Sequence, residues 1–217
     1  MKKLVSAFVA LMLAVPSFAQ FASGGFELDK SSMYYGLRFG VSLGKLSGDT
    51  ETTLNGAAEK MDYSGVRTGF TLGGVVGLRI STTAPVFLES GLYYTQRGGK
   101  DGKYSAQLNC LEIPLLVKYG IKATDDIALL PFLGPYFAYG IAGDTEYREA
   151  GTGDKGKERS YKHLLNRNDM GLKIGCGAEY NMLYLEAGYQ FGLTNISDDE
   201  DLTTRANQMF INFGVNF

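Results

Sequence analysis

Leu111-Glu112-Ile113-Pro114-Leu115-Leu116-Val117-Lys118-Tyr119 is the stretch that decides the fold. Taken every second residue, Leu111, Ile113, Leu115, Val117 and Tyr119 form a wholly apolar row. Glu112, Pro114, Leu116 and Lys118 form the other, with a charge near each end. An extended strand places alternate side chains on opposite faces of its sheet, so this one has an apolar side and a charge-bearing side. In a soluble sheet the charges face water. In a membrane barrel the apolar side faces lipid and the charges point into the lumen.

The same alternation recurs along the chain. Tyr35, Leu37, Phe39, Val41 and Leu43 alternate with Tyr34, Gly36, Arg38, Gly40 and Ser42. Phe70, Leu72, Val76 and Leu78 alternate with Thr71, Gly73, Val75, Gly77 and Arg79. Leu88, Leu92 and Tyr94 face away from Phe87, Glu89, Tyr93 and Arg97. After the central stretch come Leu129, Leu133, Phe137 and Tyr139 against Phe132, Gly134, Tyr136 and Ala138. Then Met170, Leu172, Ile174 and Cys176 oppose Asp169, Lys173, Gly175 and Glu179, and Leu183, Leu185, Tyr189 and Phe191 oppose Tyr184, Glu186 and Gln190. Met209, Ile211, Phe213, Val215 and Phe217 close the series.

That makes eight strands, joined by connections that alternate in length. Residues 47–68 are polar with Asn55-Gly56 and Ser64-Gly65 as turn signals, and Thr82-Thr83-Ala84 is a tight turn. Residues 98–102 read as a modest loop, 143–168 as a long charged loop, and Asn181-Met182 as a two-residue turn. The expected fold is an all-β, eight-stranded, antiparallel up-and-down transmembrane barrel over residues 33–217, with short periplasmic turns and longer extracellular loops. An even strand number puts both ends on one side.

Met1-Lys2-Lys3, an apolar run from Leu4 to Pro16 and small residues before Gln20 describe a secretory signal peptide over residues 1–19, cleaved after Ala19. Residues 20–32 read as a flexible lead-in. Removing Lys2 and Lys3 takes the net charge from −2 to −4. With no basic stripe, nucleic acid is not an expected partner. Cys110 and Cys176 fall on opposite faces of separate strands, so no disulfide is expected. No metal-ligand spacing is present, and no cofactor is expected.

Alternation alone also fits a soluble barrel turned inside out, with apolar side chains around a ligand. Three features favour the lipid-facing arrangement. The polar face is rich in glycine, including Gly36, Gly73, Gly77, Gly175, Gly177 and Gly188, which weakens a solvent-facing strand but makes room beside long side chains in a narrow lumen. That face carries Arg38, Arg79, Arg97, Lys118 and Lys173 against Glu89, Glu112, Asp169, Glu179 and Glu186, as a lumen of paired charges requires. Tyrosines (Tyr35, Tyr94, Tyr119, Tyr139, Tyr180) sit near the ends of the apolar rows, where interfacial girdles belong. Turn geometry predicts Gly177 opposite Glu186 and Phe87 opposite Arg79, with Arg79 and Glu89 in salt-bridge reach.

Leu111–Tyr119 resembles the "LEIPLLLKY" strand of the small outer-membrane barrels of Bacteroidetes, the PorT-like group often labelled "porin family". Leu133-Gly134-Pro135-Tyr136 is similar to the group's "GPY" segment, and Asp169-Met170-Gly171 and Tyr189–Ile196 to its later strands. The resemblance covers residues 33–217. It implies an outer-membrane barrel of a Gram-negative cell and, for PorT itself, a type IX secretion role. Phe213, Val215 and Phe217 resemble the signal read by the barrel assembly machinery, which with outer-membrane lipid and lipopolysaccharide is an expected partner.

Catalysis is not expected. The one histidine, His163, stands in the long loop with no strand-borne serine to pair with it, and a triad needs a base oriented by rigid neighbours. The lumen charges are expected to be a salt-bridged plug. Asp198-Asp199-Glu200-Asp201 lacks calcium-loop spacing and reads as a solvated loop. Pro114 cannot donate to a ladder, so a bulge or weakened pairing is expected between strands four and five. The expected function is non-enzymatic, structural or surface-binding, with a narrow pore or transport and secretion accessory as the alternative and a lipid-directed barrel enzyme third.

Overall fold

The computed structural model describes residues 32–50, 52–54, 57–59, 65–101, 104–148, 155–159, 166–196 and 202–217. The signal peptide, nearly all of the lead-in, His163 and the 198–201 acidic run lie outside the described residues. Eight strands form the wall: β1 Met33–Thr50, β2 Gly65–Arg79, β3 Val86–Asp101, β4 Tyr104–Tyr119, β5 Ile127–Arg148, β6 Asn168–Tyr180, β7 Leu183–Gly192 and β8 Leu202–Asn216. Each pairs antiparallel with its sequence neighbours. Pairing of β1 with β8, from Gly36↔Asn216 to Thr50↔Leu202, closes the barrel.

Side chains divide as alternation requires. Leu37, Phe39, Leu72, Leu133, Met170, Leu183 and Phe213 are among a belt of exposed apolar residues on seven of the eight strands, while Leu88 and Leu92 of β3 are half-buried. A belt this large has no stable place in water. On β1 it runs from Met33 to Leu43, about 33 Å of strand, which at a tilt near 40° is a band about 25 Å tall. That matches the hydrocarbon-facing zone of a transmembrane barrel.

The connections differ from their sequence reading on one side only. Residues 98–102 are not a loop: β3 runs to Asp101 and β4 starts at Tyr104. Residues 47–68 include the end of β1, the start of β2 and a small hairpin, Thr52–Leu54 with Ala57–Glu59. Within 143–168, β5 continues to Arg148 and Lys155–Arg159 pairs back along it. Above the apolar band both strand faces meet polar surroundings, so hydrophobic alternation fades although the ladder continues. The opposite ends are short, as expected. Tyr180 pairs with Leu183 across Asn181-Met182, with Asn181 at a φ of 54°, a conformation asparagine tolerates.

Pro114 weakens pairing on both its flanks without shifting the register. The β4–β5 ladder runs from Pro114↔Tyr136 to Val117↔Leu133 and omits Leu115 and Leu116, beside Pro135. The β3–β4 ladder omits the pairs between Ser90↔Leu115 and Tyr93↔Glu112. There the Ser90 hydroxyl donates to the Pro114 carbonyl at 2.8 Å and stands in for a lost ladder bond. The register shift in β4 lies elsewhere, between Asn109 and Cys110.

At the end with longer connections the wall is pinched. The β2–β3 register shifts between Val66 and Thr71, and β3 crosses toward β1 there. Ser42 Oγ donates to the Gln96 carbonyl at 2.8 Å, and a Cβ on Gly44 would lie 2.7 Å from the Gly98 carbonyl oxygen. Gly98 itself has a φ of 154°, which glycine adopts without strain.

Candidate functional site

Inward-facing residues fill the barrel in layers. Nearest the short turns lies an apolar cluster of Tyr34, Val75, Phe87, Tyr93, Leu130 and Tyr184. Nearest the longer connections lies a second, of Leu46, Leu108, Cys110, Tyr136, Ala138, Ile196 and Ala206. Leu116, Phe132 and Phe210 pack between them. Glycine makes this filling possible. A Cβ on Gly77 would sit 2.1 Å from the Tyr34 ring, one on Gly177 2.2 Å from the Tyr184 hydroxyl, and one on Gly175 2.5 Å from Phe132. Each of these three rings lies over a residue without a side chain.

Two charge clusters occupy the interior. In the one nearer the short turns, Lys118 Nζ lies 2.8 Å from Glu89 Oε1 and 3.8 Å from Glu186, and donates to the Tyr184 hydroxyl at 2.8 Å. Arg38 lies 3.5 Å from Glu89, donates to Asn216 Oδ1 at 2.6 Å and stacks 4.0 Å above the Tyr184 ring centre. The Tyr34 hydroxyl donates to Glu89 at 2.7 Å. Asn212 donates to Glu186 and accepts from Thr71, both at 2.8 Å. Arg38, Glu89 and Lys118 are completely buried, so every lone pair left without a partner here is costly.

In the second cluster Arg97 bridges two carboxylates. It donates to Asp169 Oδ2 at 2.5 Å and to Glu112 Oε2. Glu112 also accepts from Gln190 at 2.6 Å and lies 3.4 Å from Lys173 Nζ. Hydroxyls of Thr194 and Tyr136 donate to Asp169 at 2.9 and 3.2 Å. Lys173 sits against the rings of Phe210 and Tyr93, at 4.3 and 4.8 Å. Two cations and two carboxylates cancel, and five strands contribute to the cluster.

Nine of the ten charges read from the sequence as lumenal are buried in these layers. Arg79 is the exception, half-buried at the rim. The predicted hairpin register holds, with Arg79 opposite Phe87, but the Arg79–Glu89 salt bridge does not form. Glu89 turns to Arg38 and Lys118. Arg79 Nε donates to the Ser81 carbonyl at 2.9 Å, and its guanidinium lies 5.9 Å from the Phe87 ring centre. At the rim it keeps hydration that it would lose beside Glu89. Glu179 accepts from Asn216 at 3.0 Å and has no cation within ion-pair distance among the described residues.

Sequence reasoning counted charges and missed their neutral partners. Tyr34, Thr71, Tyr136, Tyr184, Gln190, Asn212 and Asn216 share the inward rows, so alternation already marked them. Their role follows from the cost of burying a charge with unfilled hydrogen-bonding capacity. Cys110 is buried and Cys176 exposed, both as free thiols.

No curated protein matches this chain. Among solved structures, it is similar to Neisserial surface protein A at 16% identity and a TM-score of 0.46, covering 86% of this chain and 98% of that one. Ail, the attachment invasion locus protein of Yersinia pestis, aligns at 12% identity and 0.43, covering 86% and 100%. OprG of Pseudomonas aeruginosa aligns at 13% and 0.46, covering 86% and 96%. The family model described as "Outer membrane protein beta-barrel domain" matches residues 18–198, and the chain belongs to that outer-membrane family.

Proposed function

We propose that this chain is a non-enzymatic, non-conducting outer-membrane barrel that acts at the cell surface through the strand extensions above its apolar band. The observation that carries this reading is the filled lumen. Two charge clusters lie between two apolar clusters, and side chains fill the interior of an eight-stranded barrel rather than leave a water column. Charges buried at this depth are costly to expose singly, so the plug is a cooperative unit. The extensions of β3, β4 and β5, with Lys155–Arg159 along β5, supply a rigid sheet on which surface connections are mounted. Purified protein in planar bilayers gives no discrete openings across the voltage range; stepwise conductance sinks the reading.

Partners on this reading are outer-membrane lipid, lipopolysaccharide and, during biogenesis, the assembly machinery that reads Phe213, Val215 and Phe217. Export proceeds by cleavage after Ala19, checked by the N-terminal mass of the membrane-extracted protein. A second reading, a PorT-like accessory of type IX secretion, is favoured by the Leu111–Tyr119 resemblance. Loss of surface cargo in a deletion strain would support it over a self-contained surface protein.

A further inference from the structure

The outer wall carries a cationic pair at the upper edge of the apolar band. On β1 the outward row ends in Val41 and Leu43 and continues with Lys45. On β8 it runs through Ile211 and Met209 to Asn207 and then Arg205. The register sets Leu43 opposite Met209, Lys45 opposite Asn207 and Arg205 opposite Ser47. Lys45 and Arg205 are therefore diagonal neighbours on one face, about 7–8 Å apart and somewhat closer between their Cβ atoms. Both side chains are long enough to converge on one anion.

Neither cation takes part in a described hydrogen bond or ion pair, unlike the buried cations of the lumen. Their level is also defined. The band beneath them on β1 is about 25 Å tall, the full hydrocarbon thickness of such a barrel. Lys45 and Arg205 thus stand at the headgroup plane on the side of the longer connections, the outer leaflet. Immediately below, Leu43 and Met209 are exposed. An amphiphile with a phosphate on its head and acyl chains beneath matches both halves of this surface.

We propose that Lys45 and Arg205 form a binding site for the phosphate of an outer-leaflet glycolipid, whose acyl chains lie along Leu43 and Met209. The site rests on the lipopolysaccharide partnership proposed above and on the barrel's orientation, and not on the filled lumen, which the bilayer recordings test separately. It is tested with full-length mature protein in detergent micelles, titrated with diphosphoryl lipid A or with the same lipid stripped of both phosphates. Native mass spectrometry reads the adducts. A chelator is present throughout, so that a divalent ion on Asp198-Asp199-Glu200-Asp201 cannot recruit phosphate.

Wild type binds the diphosphoryl lipid in preference to the stripped one. Lys45→Gln and Arg205→Gln each weaken that binding about fivefold, and the double variant roughly 30-fold. The exchange Lys45→Arg with Arg205→Lys retains it, and Lys122→Gln on a short turn leaves it unchanged. Heat-modifiable migration confirms that each variant is folded. Equal binding of stripped lipid, or a double variant that binds as wild type does, overturns the proposal.

Discussion

Removing the Glu112 carboxylate, by Glu112→Gln, is the most informative single change in the lumen. Gln keeps the volume but has one acceptor oxygen where the carboxylate uses two, Oε2 for Arg97 and Oε1 for Gln190, so the change removes the charge and one acceptor together. Lys173, 3.4 Å away, has no other described ion-pair partner, and Arg97 keeps only Asp169. A pair at that distance is worth about 5 kcal/mol at an effective dielectric of about 20. Stranding one charge of a buried pair costs roughly 3–5 kcal/mol. Because Lys173 is the stranded residue, Glu112→Gln with Lys173→Met should recover to within about 1–2 kcal/mol of wild type, as apolar replacements of buried pairs do. The methionine would lie against Phe210 and Tyr93, where a thioether packs well. Glu112→Gln with Arg97→Met should not recover, although its formal charge also balances, since Lys173 stays stranded and Asp169 is left to hydroxyl donors. The assay is urea unfolding in phospholipid vesicles, with the folded fraction read from heat-modifiable migration. Two results refute the reasoning: a single variant within about 0.5 kcal/mol of wild type, or equal rescue by both second changes.

Three further changes probe other layers. Gly77→Val places a side chain where the Tyr34 ring lies, 2.1 Å from the ideal Cβ, and should cost about 2–3 kcal/mol in the same urea assay as Tyr34 leaves Glu89. Ser90→Ala removes the hydroxyl bond to Pro114 O and should cost about 1 kcal/mol, with faster amide exchange confined to the β3–β4 seam. Cys176, exposed on the outer face, should react with pyrenyl maleimide in the folded state and be quenched by brominated lipid. Buried Cys110 should label only after unfolding, and the reverse pattern would turn the barrel inside out.

The strands and their faces were legible because the bilayer imposes one rule on every membrane-crossing residue: the outward row is apolar, and charges stand only in the inward row. That rule held from Met33 to Leu43 and in all seven other strands. It lapsed where the wall leaves the membrane. Gly98-Gly99-Lys100-Asp101 looked like a loop because none of its side chains reports a face, yet the backbone still pairs Lys100 with Ser105 and Asp101 with Tyr104. Hydrogen bonding there depends on neighbouring strands already held in register below, which no local pattern records.

The lumen shows a second limit. Membership of the inward row came from parity alone, but partnership depends on which strands face one another after closure. Glu89 had two diagonal neighbours of opposite charge, Arg79 across β2 and Lys118 across β4, and parity gave no reason to choose. Depth chooses. Arg79 lies next to the turn, half-buried at the rim, where water reaches it. Lys118 lies in a layer with Tyr184 and Phe132 around it and Glu186 at 3.8 Å, where an unpaired ammonium would be far more costly. Arg38, two strands away from β3, reaches the same carboxylate with its side chain lying over Gly36 and Gly214, while the Tyr93 and Tyr34 rings lie over Gly73 and Gly77 of the intervening β2. The glycines that signalled a narrow lumen therefore also set its pairing, by letting charges meet across a strand. On this basis, Gly36→Val, whose Cβ would overlap the Arg38 guanidinium, should weaken the Arg38–Glu89 contact while leaving Lys118–Glu89 in place, a separation that side-chain NMR of the arginine and lysine can resolve.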